Sequence, residues 1–364
     1  MSDQRFPTQD ALDSLRAQVR QASENESPLR IEGGNTKAFY GRPVAGETIS
    51  TIEHRGITHY DPVELIVSVR AGTPLAELEA ALASEGQMLA FEPPHYGPGA
   101  TIGGTIATGL SGPRRPWSGA VRDFVLGVRL LNHQGQEHRF GGEVMKNVAG
   151  YDLSRLMVGA QGTLGLITEV SLKVLPKPGA CHSLRLDISL TEALSQLAKW
   201  GQKPLPLSAA TWHDGALHLR LEGGPSSVAD TCRMIGGDSL DNAYWEDLRE
   251  QQLPFFQQND MPLWRLSLPA NTAPLEIPGI DAESLIHDWA GCQRWLHADV
   301  NTGTLRSICA QAGGHATCFT PDKLPESAGP FTPLEPMVAK YHDRLKEQLD
   351  PQGIFNRGRL YAEF

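Results

Sequence analysis

The chain has no C-x-x-C pair; its five cysteines (Cys181, Cys232, Cys292, Cys309 and Cys318) are scattered. That spacing excludes the clustered thiolates that an iron–sulfur cluster requires. An odd number of dispersed thiols fits a reducing, cytoplasmic compartment. Long apolar runs are also missing. No window approaches the ~20 apolar residues of a membrane span, and Asp3, Arg5, Asp10, Asp13 and Arg16 interrupt the start of the chain where a signal peptide needs an apolar core. Any membrane link, peripheral at an inner membrane, must come through a partner. Positive charge is in deficit: 32 Lys and Arg against 42 Asp and Glu leave a formal net charge of −10. That balance argues against nucleic acid as the main partner, because binding its phosphates needs a net basic face. No G-x-x-x-x-G-K-[ST] occurs, so ATP chemistry of that type has no support.

What the chain does have is glycine in runs. From Pro98 to Asp123 it reads P-G-A-T-I-G-G-T-I-A-T-G-L-S-G-P-R-R-P-W-S-G-A-V-R-D. Glycine lets backbone approach a ligand closely, and successive N–H groups in such turns form anion-binding nests. The run ends in Arg114, Arg115 and Arg122, whose forked donors suit phosphate. The pattern predicts a bed for an extended phosphorylated cofactor. Gly97, Gly99 and Gly103 come near the dinucleotide fingerprint of nicotinamide enzymes. That motif must follow a strand, whereas here Pro93 and Pro94 precede it. Three further segments have similar character: Glu32 to Lys37, Lys146 to Leu153, and Gly159 to Thr168. In the first, the N–H groups and the Asn35 and Thr36 side chains suit a pyrophosphate.

The 364 residues suit two or three modules. Leu12, Leu15 and Val19 predict a helix over 10–22, followed by a strand at 29–31. A strand over 64–69 leads into a helix capped by Thr73 with Pro74 first, ending near Gly86. Strands are predicted at 125–131 and 164–174, with a hairpin turn at 132–136 around Gly135. Beyond Pro178 the composition gains Pro and Trp. There a second α+β module is predicted, with strands near 183–188, 216–221 and 263–268 and helices near 190–199, 227–235 and 241–251. Two short β-α-β-like units suggest a ferredoxin-like arrangement. The expected division is therefore 1–178, 179–335 and a returning helix and tail, 336–364.

Taken together and in order, these segments resemble the FAD-binding family of vanillyl-alcohol oxidase and p-cresol methylhydroxylase (PCMH type). Within it the chain is similar to the small FAD-binding subunits of bacterial glycolate oxidases. The matching stretches are Glu32-Gly33-Gly34-Asn35-Thr36, Ala100-Thr101-Ile102-Gly103-Gly104, Ser111-Gly112-Pro113-Arg114-Arg115 and Arg122-Asp123. Lys146-Asn147-x-x-Gly150-Tyr151-Asp152, Gly162-Thr163-Leu164-Gly165-Leu166-Ile167-Thr168 and Phe355-Asn356-Arg357-Gly358-Arg359 complete the set. Arg357 stands where the family commonly has proline. The likeness is good over 29–178 and weaker, though recognisable, at Gln293-Arg294-Trp295-Leu296. No single motif is specific; their order and spacing are.

The resemblance implies a fold: two α+β subdomains holding an extended FAD, with a smaller α+β, ferredoxin-like cap. It places Gly33, Gly34, Asn35, Thr36, Thr101, Ile102, Gly103, Gly104, Ser111, Gly112, Arg114, Arg115, Asp123, Lys146, Asn147, Gly150, Tyr151, Gly162, Thr163, Gly165, Ile167, Thr168 and Asn356 at the cofactor. Some relatives tether the flavin through a histidine in the first loop. Asn35 stands at that position and has no nucleophilic ring nitrogen, so FAD is expected to bind non-covalently.

For chemistry, the resemblance implies oxidation of a 2-hydroxy acid, glycolate to glyoxylate, with Arg294 and His297 as candidate catalytic residues. The family's H-x-G-D-G-N-x-H motif is absent; the nearest fragments are His297-Ala298-Asp299-Val300-Asn301 and Gly313-Gly314-His315. A subunit of a larger complex is the expectation, passing electrons to an iron–sulfur subunit beside a second FAD-binding subunit. The alternatives are a self-sufficient FAD-dependent 2-hydroxy acid dehydrogenase, acting on a D-lactate-like substrate, or an assembly subunit whose FAD is structural only.

Overall fold

Helix α1 (Leu12–Glu24) forms where Leu15, Val19 and Ala22 recur at three- and four-residue spacing, and those three side chains are its buried stripe. The computed structural model describes residues 6–142, 152–258, 260–325 and 327–364. They divide into two compact units, one of 1–111, 120–176 and 333–364, the other of 112–119 and 177–332.

In the first unit, β1 (Leu29–Glu32) pairs in parallel with β2 (Glu47–Ser50), and Phe355 bridges to Leu29 on its other side. The central sheet contains β3 (Ile57–Asp61), β4 (Ile66–Arg70), β6 (Val125–Leu131), β7 (Glu137–Gly141) and β8 (Leu166–Lys173), in the order β3-β4-β8-β6-β7 and antiparallel throughout. Strand β8 is central and buried along most of its length; Leu166, Ile167, Val170 and Leu172 are apolar and buried, and the buried hydroxyls of Thr168 and Ser171 are satisfied by Glu137 and Ser68. Helices α2 (Leu75–Ser84) and α3 (Ile102–Thr108) set Leu75, Leu78, Leu82, Ile102 and Ile106 into the same core. The short strands β5 (Gln87–Met88) and β9 (Leu175–Pro176) pair antiparallel as a separate two-stranded sheet.

The cap of α2 differs from the expectation. Pro74 occupies the cap position and no side chain caps the helix. The Thr73 hydroxyl instead donates to Arg70 O at 2.7 Å and accepts from Gly56 N at 2.8 Å. Proline's extended ψ already turns the chain into the helix, which frees the hydroxyl to tie the preceding turn.

In the second unit, β10 (Ala180–Leu186), α6 (Leu190–Trp200), β11 (Leu207–His213), β12 (Ala216–Gly223), α7 (Pro225–Ile235) and β13 (Asp238–Leu240) form a β-α-β-β-α-β unit with sheet order β13-β10-β12-β11. After α8 (Ala243–Arg249), the same topology recurs with β14 (Leu263–Ser267), β15 (Ile286–Asp288), β16 (Gln293–His297), α9 (Thr302–Gln311) and β17 (His315–Cys318), in the order β15-β16-β14-β17. In this second copy, irregular chain and a 3-10 turn at Ala282–Ser284 stand where α6 does in the first. The two copies join edge to edge at Trp212 and His287 into one eight-stranded antiparallel sheet. Leu217, Leu219 and Leu221 alternate toward one face, and His218, Arg220 and Glu222 toward the other.

The division differs from the expected one at the excursion Gly112–Gly119, which folds with the second unit. It carries the helical turn α4 (Arg115–Ser118). Trp117 packs on the core of the second unit, the Gly112 carbonyl accepts from Trp289 Nε1 at 3.0 Å, and Arg114 pairs with Glu222. Aromatic burial and a largely buried ion pair override the continuity of the glycine-rich run. Within the first unit the chain continues through α5 (Leu153–Leu156) and ends in α10 (Pro336–Leu349) and the tail to Phe364. No helix among the described residues is long and apolar enough to cross a membrane.

Candidate functional site

The loop after β1 lies directly on the chain before α3. A Cβ at Gly34 would sit 1.4 Å from the Gly99 carbonyl oxygen, and one at Gly33 2.4 Å from Thr101 Oγ1. Only glycine permits that approach. Thr36 Oγ1 fixes the loop further by donating to the His95 carbonyl at 2.7 Å. Asn35 takes φ 57, a left-handed conformation that asparagine tolerates. Among the described residues, the backbone N–H groups of Gly33, Gly34, Asn35 and Thr36 have no hydrogen-bond acceptor. Four consecutive unengaged donors are what an anion nest requires.

The opposite wall is α3. Thr101 caps it, its Oγ1 accepting from Gly104 N at 3.2 Å. Gly103 packs against β4: its N–H donates to Ala71 O at 2.8 Å, and a Cβ there would meet Ala71 at 2.8 Å. Gly104 is different, since the only atom near a Cβ at that position is Thr101 Oγ1 at 3.3 Å. A third wall is the turn at Gln161-Gly162. Asn356 holds it from the tail, donating through Nδ2 to Gln161 O at 2.7 Å and accepting through Oδ1 from Ile31 N at 2.8 Å. A Cβ at Gly162 would strike Asn356 Nδ2 at 2.8 Å.

These walls enclose a cleft of about 330 Å³ within the first unit, in the size range of small-molecule sites. Gly33, Gly34, Asn35, Thr36, Thr101, Gly103, Gly104, Gly162, Gly165, Ile167 and Asn356 all line it. The donor set fits a dinucleotide: unengaged N–H groups for a diphosphate, with flat, side-chain-poor backbone on either side.

The other expected residues lie elsewhere. Ile102 is in the core beneath α3. Thr163 and Thr168 are fully buried, their hydroxyls donating to Ala160 O at 2.7 Å and Glu137 Oε1 at 2.8 Å. Ser111 Oγ accepts from Val121 N, and Asp123 Oδ2 from Ala120 N. Gly112, Arg114 and Arg115 belong to the second unit; Arg114 Nη2 donates to Glu222 Oε1 at 2.9 Å, and the Arg115 guanidinium lies over the Trp289 ring at 4.5 Å. Lys146, Asn147, Gly150 and Tyr151 lie outside the described residues.

Arg294 is wholly buried in the second unit. Its guanidinium donates to the carbonyls of Gly291, Ala273 (2.9 Å) and Thr272, and burial pulls its pKa down to about 10. It is therefore sealed in the core of the second unit with its N–H groups taken by main chain, not presented to a substrate carboxylate. His297, on the other face of β16, is half-buried beside Phe255 at 5.1 Å, with its pKa lowered by burial. The sequence reading missed Gln161 and Arg359 as lining residues of the cleft. The only sequence signal for Arg359 was its place in the matched ending, three residues beyond Asn356.

Comparison with known proteins fits this geometry. The FAD binding domain family matches residues 10–141. The chain is 53% identical over 350 residues, 96% of its length and 97% of the relative's, to glycolate oxidase subunit GlcE of Escherichia coli (strain K12). It is 34% identical over 175 residues to D-lactate dehydrogenase of Anaerostipes hadrus, covering 47% of this chain and 36% of that protein. Among solved structures, an alkyldihydroxyacetonephosphate synthase superposes with a TM-score of 0.66 at 17% identity, covering 97% of this chain and 76% of its own. A cleft built from bare backbone and this near-full-length identity agree: the chain belongs to the family of glycolate oxidase subunit GlcE, among the PCMH-type FAD-binding proteins, and FAD is its cofactor.

Proposed function

We propose that this chain is the FAD-binding subunit of a glycolate-oxidising complex. The observation that carries the reading is the 53% identity with glycolate oxidase subunit GlcE over 97% of that protein. The likeness to D-lactate dehydrogenase covers under half of this chain, so it bears on cofactor binding more than on substrate. Bound FAD supplies a two-electron acceptor for oxidation of the hydroxyl-bearing carbon. The residues of this chain bind and orient the cofactor: the Gly33–Thr36 donors take the diphosphate, Gly103 and Gly162 let backbone lie close, and Asn356 holds two walls at a fixed spacing. Asn35 leaves the flavin without a covalent tether.

Electrons leave through partners. The described residues hold no grouping of His, Cys, Asp and Glu suited to a metal ion. Burial raises the thiol pKa of Cys309, to about 11, and that of Cys318. Those thiols are inert core groups, not cluster ligands. The reading therefore includes an iron–sulfur subunit and a second FAD-binding subunit, with any membrane association made by them.

The test is anaerobic addition of glycolate, and separately D-lactate, to the chain purified alone and to the chain co-purified with its partners. Loss of the visible flavin band with glycolate, and full dye-linked turnover only with partners, is the expected result. Full turnover by the isolated chain, or bleaching by D-lactate alone, would overturn it.

A further inference from the structure

Arg359 ties separate segments of the cleft wall together. Its Nε donates to Gln161 Oε1 at 2.9 Å, and its Nη1 to Arg42 O at 2.7 Å. Its Nη2 donates to the carbonyls of Ala38 at 2.9 Å, Tyr40 at 2.8 Å and Lys37 at 3.3 Å. One guanidinium thus grips four carbonyls of the 37–42 loop and the turn that carries Gly162. Three segments far apart in sequence meet on it.

The charge is the second part of the argument. Carbonyls satisfy the N–H groups but do not neutralise the cation. Among the described residues no carboxylate pairs with Arg359. Burial alone draws its pKa down to about 10. The guanidinium is partly buried, and it lines the same cleft as the unengaged donors of Gly33–Thr36. A diphosphate brings the missing negative charge to that place.

We propose that Arg359 is a positioning residue for FAD: it sets the 37–42 loop and the Gln161 turn at the spacing of a dinucleotide and gives the cleft a positive charge toward the diphosphate. The inference rests on FAD being the ligand of this cleft. Arginine's rigid fork suits the role better than lysine, because it spreads five donors over several acceptors in a fixed plane where lysine offers a point charge on a flexible stem.

The full chain, stripped of flavin, is titrated with FAD and followed by quenching of flavin fluorescence at low and high salt. For R359M the Kd rises at least about tenfold, equivalent to about 1.4 kcal/mol, and its dependence on salt becomes shallower than that of the wild type, because one screened attraction is gone. R359K keeps the salt dependence but binds more weakly than the wild type. The rise in Tm that saturating FAD produces shrinks in both variants. R359M with wild-type Kd and salt dependence, even with a lowered Tm, would show a purely structural residue and overturn the proposal. If R359M does not fold, R359K with wild-type Kd overturns it equally. Wild-type protein that takes up no FAD overturns the cofactor assignment itself.

Discussion

Gly104→Ala is expected to push folding and cofactor binding in opposite directions. A Cβ at Gly104 meets only Thr101 Oγ1, at 3.3 Å, and otherwise points into open space at the cleft. The position is helical, so alanine should raise the stability of the flavin-free chain by up to about 1 kcal/mol. The same methyl stands where backbone must approach the diphosphate. Holding the diphosphate off one donor of the Gly33–Thr36 loop costs on the order of 1–3 kcal/mol, which is roughly a 5- to 150-fold rise in Kd. Gly103→Ala is the contrasting control. Its Cβ would meet the Ala71 side chain and carbonyl at 2.8 Å, forcing α3 off β4. Overpacking of that kind costs typically 1–3 kcal/mol of stability, and flavin is lost together with folding. The assay pairs chemical denaturation of the flavin-free proteins with FAD titration by fluorescence quenching. A Gly104→Ala protein with unchanged FAD affinity would refute the placement of α3 against the cofactor. Loss of stability in that variant would refute the reading of its surroundings.

Two further outcomes follow from particular residues. Burial holds His218 and His287 at pKa values of about 4, against an ordinary 6.5. The unfolded chain binds those protons first, so stability is lost as pH falls from about 6.5 toward 4, by roughly 2 kcal/mol per histidine at pH 5. Denaturation midpoints measured near pH 7 and pH 5 should show the drop, and His218→Gln should remove about half of what these two histidines contribute; a midpoint indifferent to pH would contradict this account. Asn35 cannot tether a flavin, so acid precipitation should release all FAD into the supernatant. A pellet that stays yellow after washing would refute non-covalent binding.

Local chemistry made much of this protein legible in its sequence. The strand Val125–Leu131 and the turn at Gly135 stand where alternation and glycine placed them, because a two-residue period and a left-handed turn are written in neighbouring residues. The loop Gly33–Thr36, the start of α3 and the Gly162 turn were legible for a related reason. Where backbone must touch backbone, only glycine can stand, and its clustering survives as a visible pattern.

Other features required the folded chain. Trp117 and Arg114 follow the glycine-rich run without a break, yet they fold with the second unit, because the Trp289 indole and the Glu222 carboxylate that hold this segment lie more than a hundred residues away. Arg294 looked like a carboxylate ligand until the carbonyls of Thr272, Ala273 and Gly291 were seen around it. Arg359 is a surface-like residue in a surface-like tail until the 37–42 loop closes on it. Composition and spacing pointed to a bed of bare backbone for a phosphorylated cofactor, and the family resemblance made that cofactor FAD. Which cations face that cleft, and which are engaged elsewhere, was decided by tertiary contacts, because a charge takes its role from partners that sequence distance does not reveal.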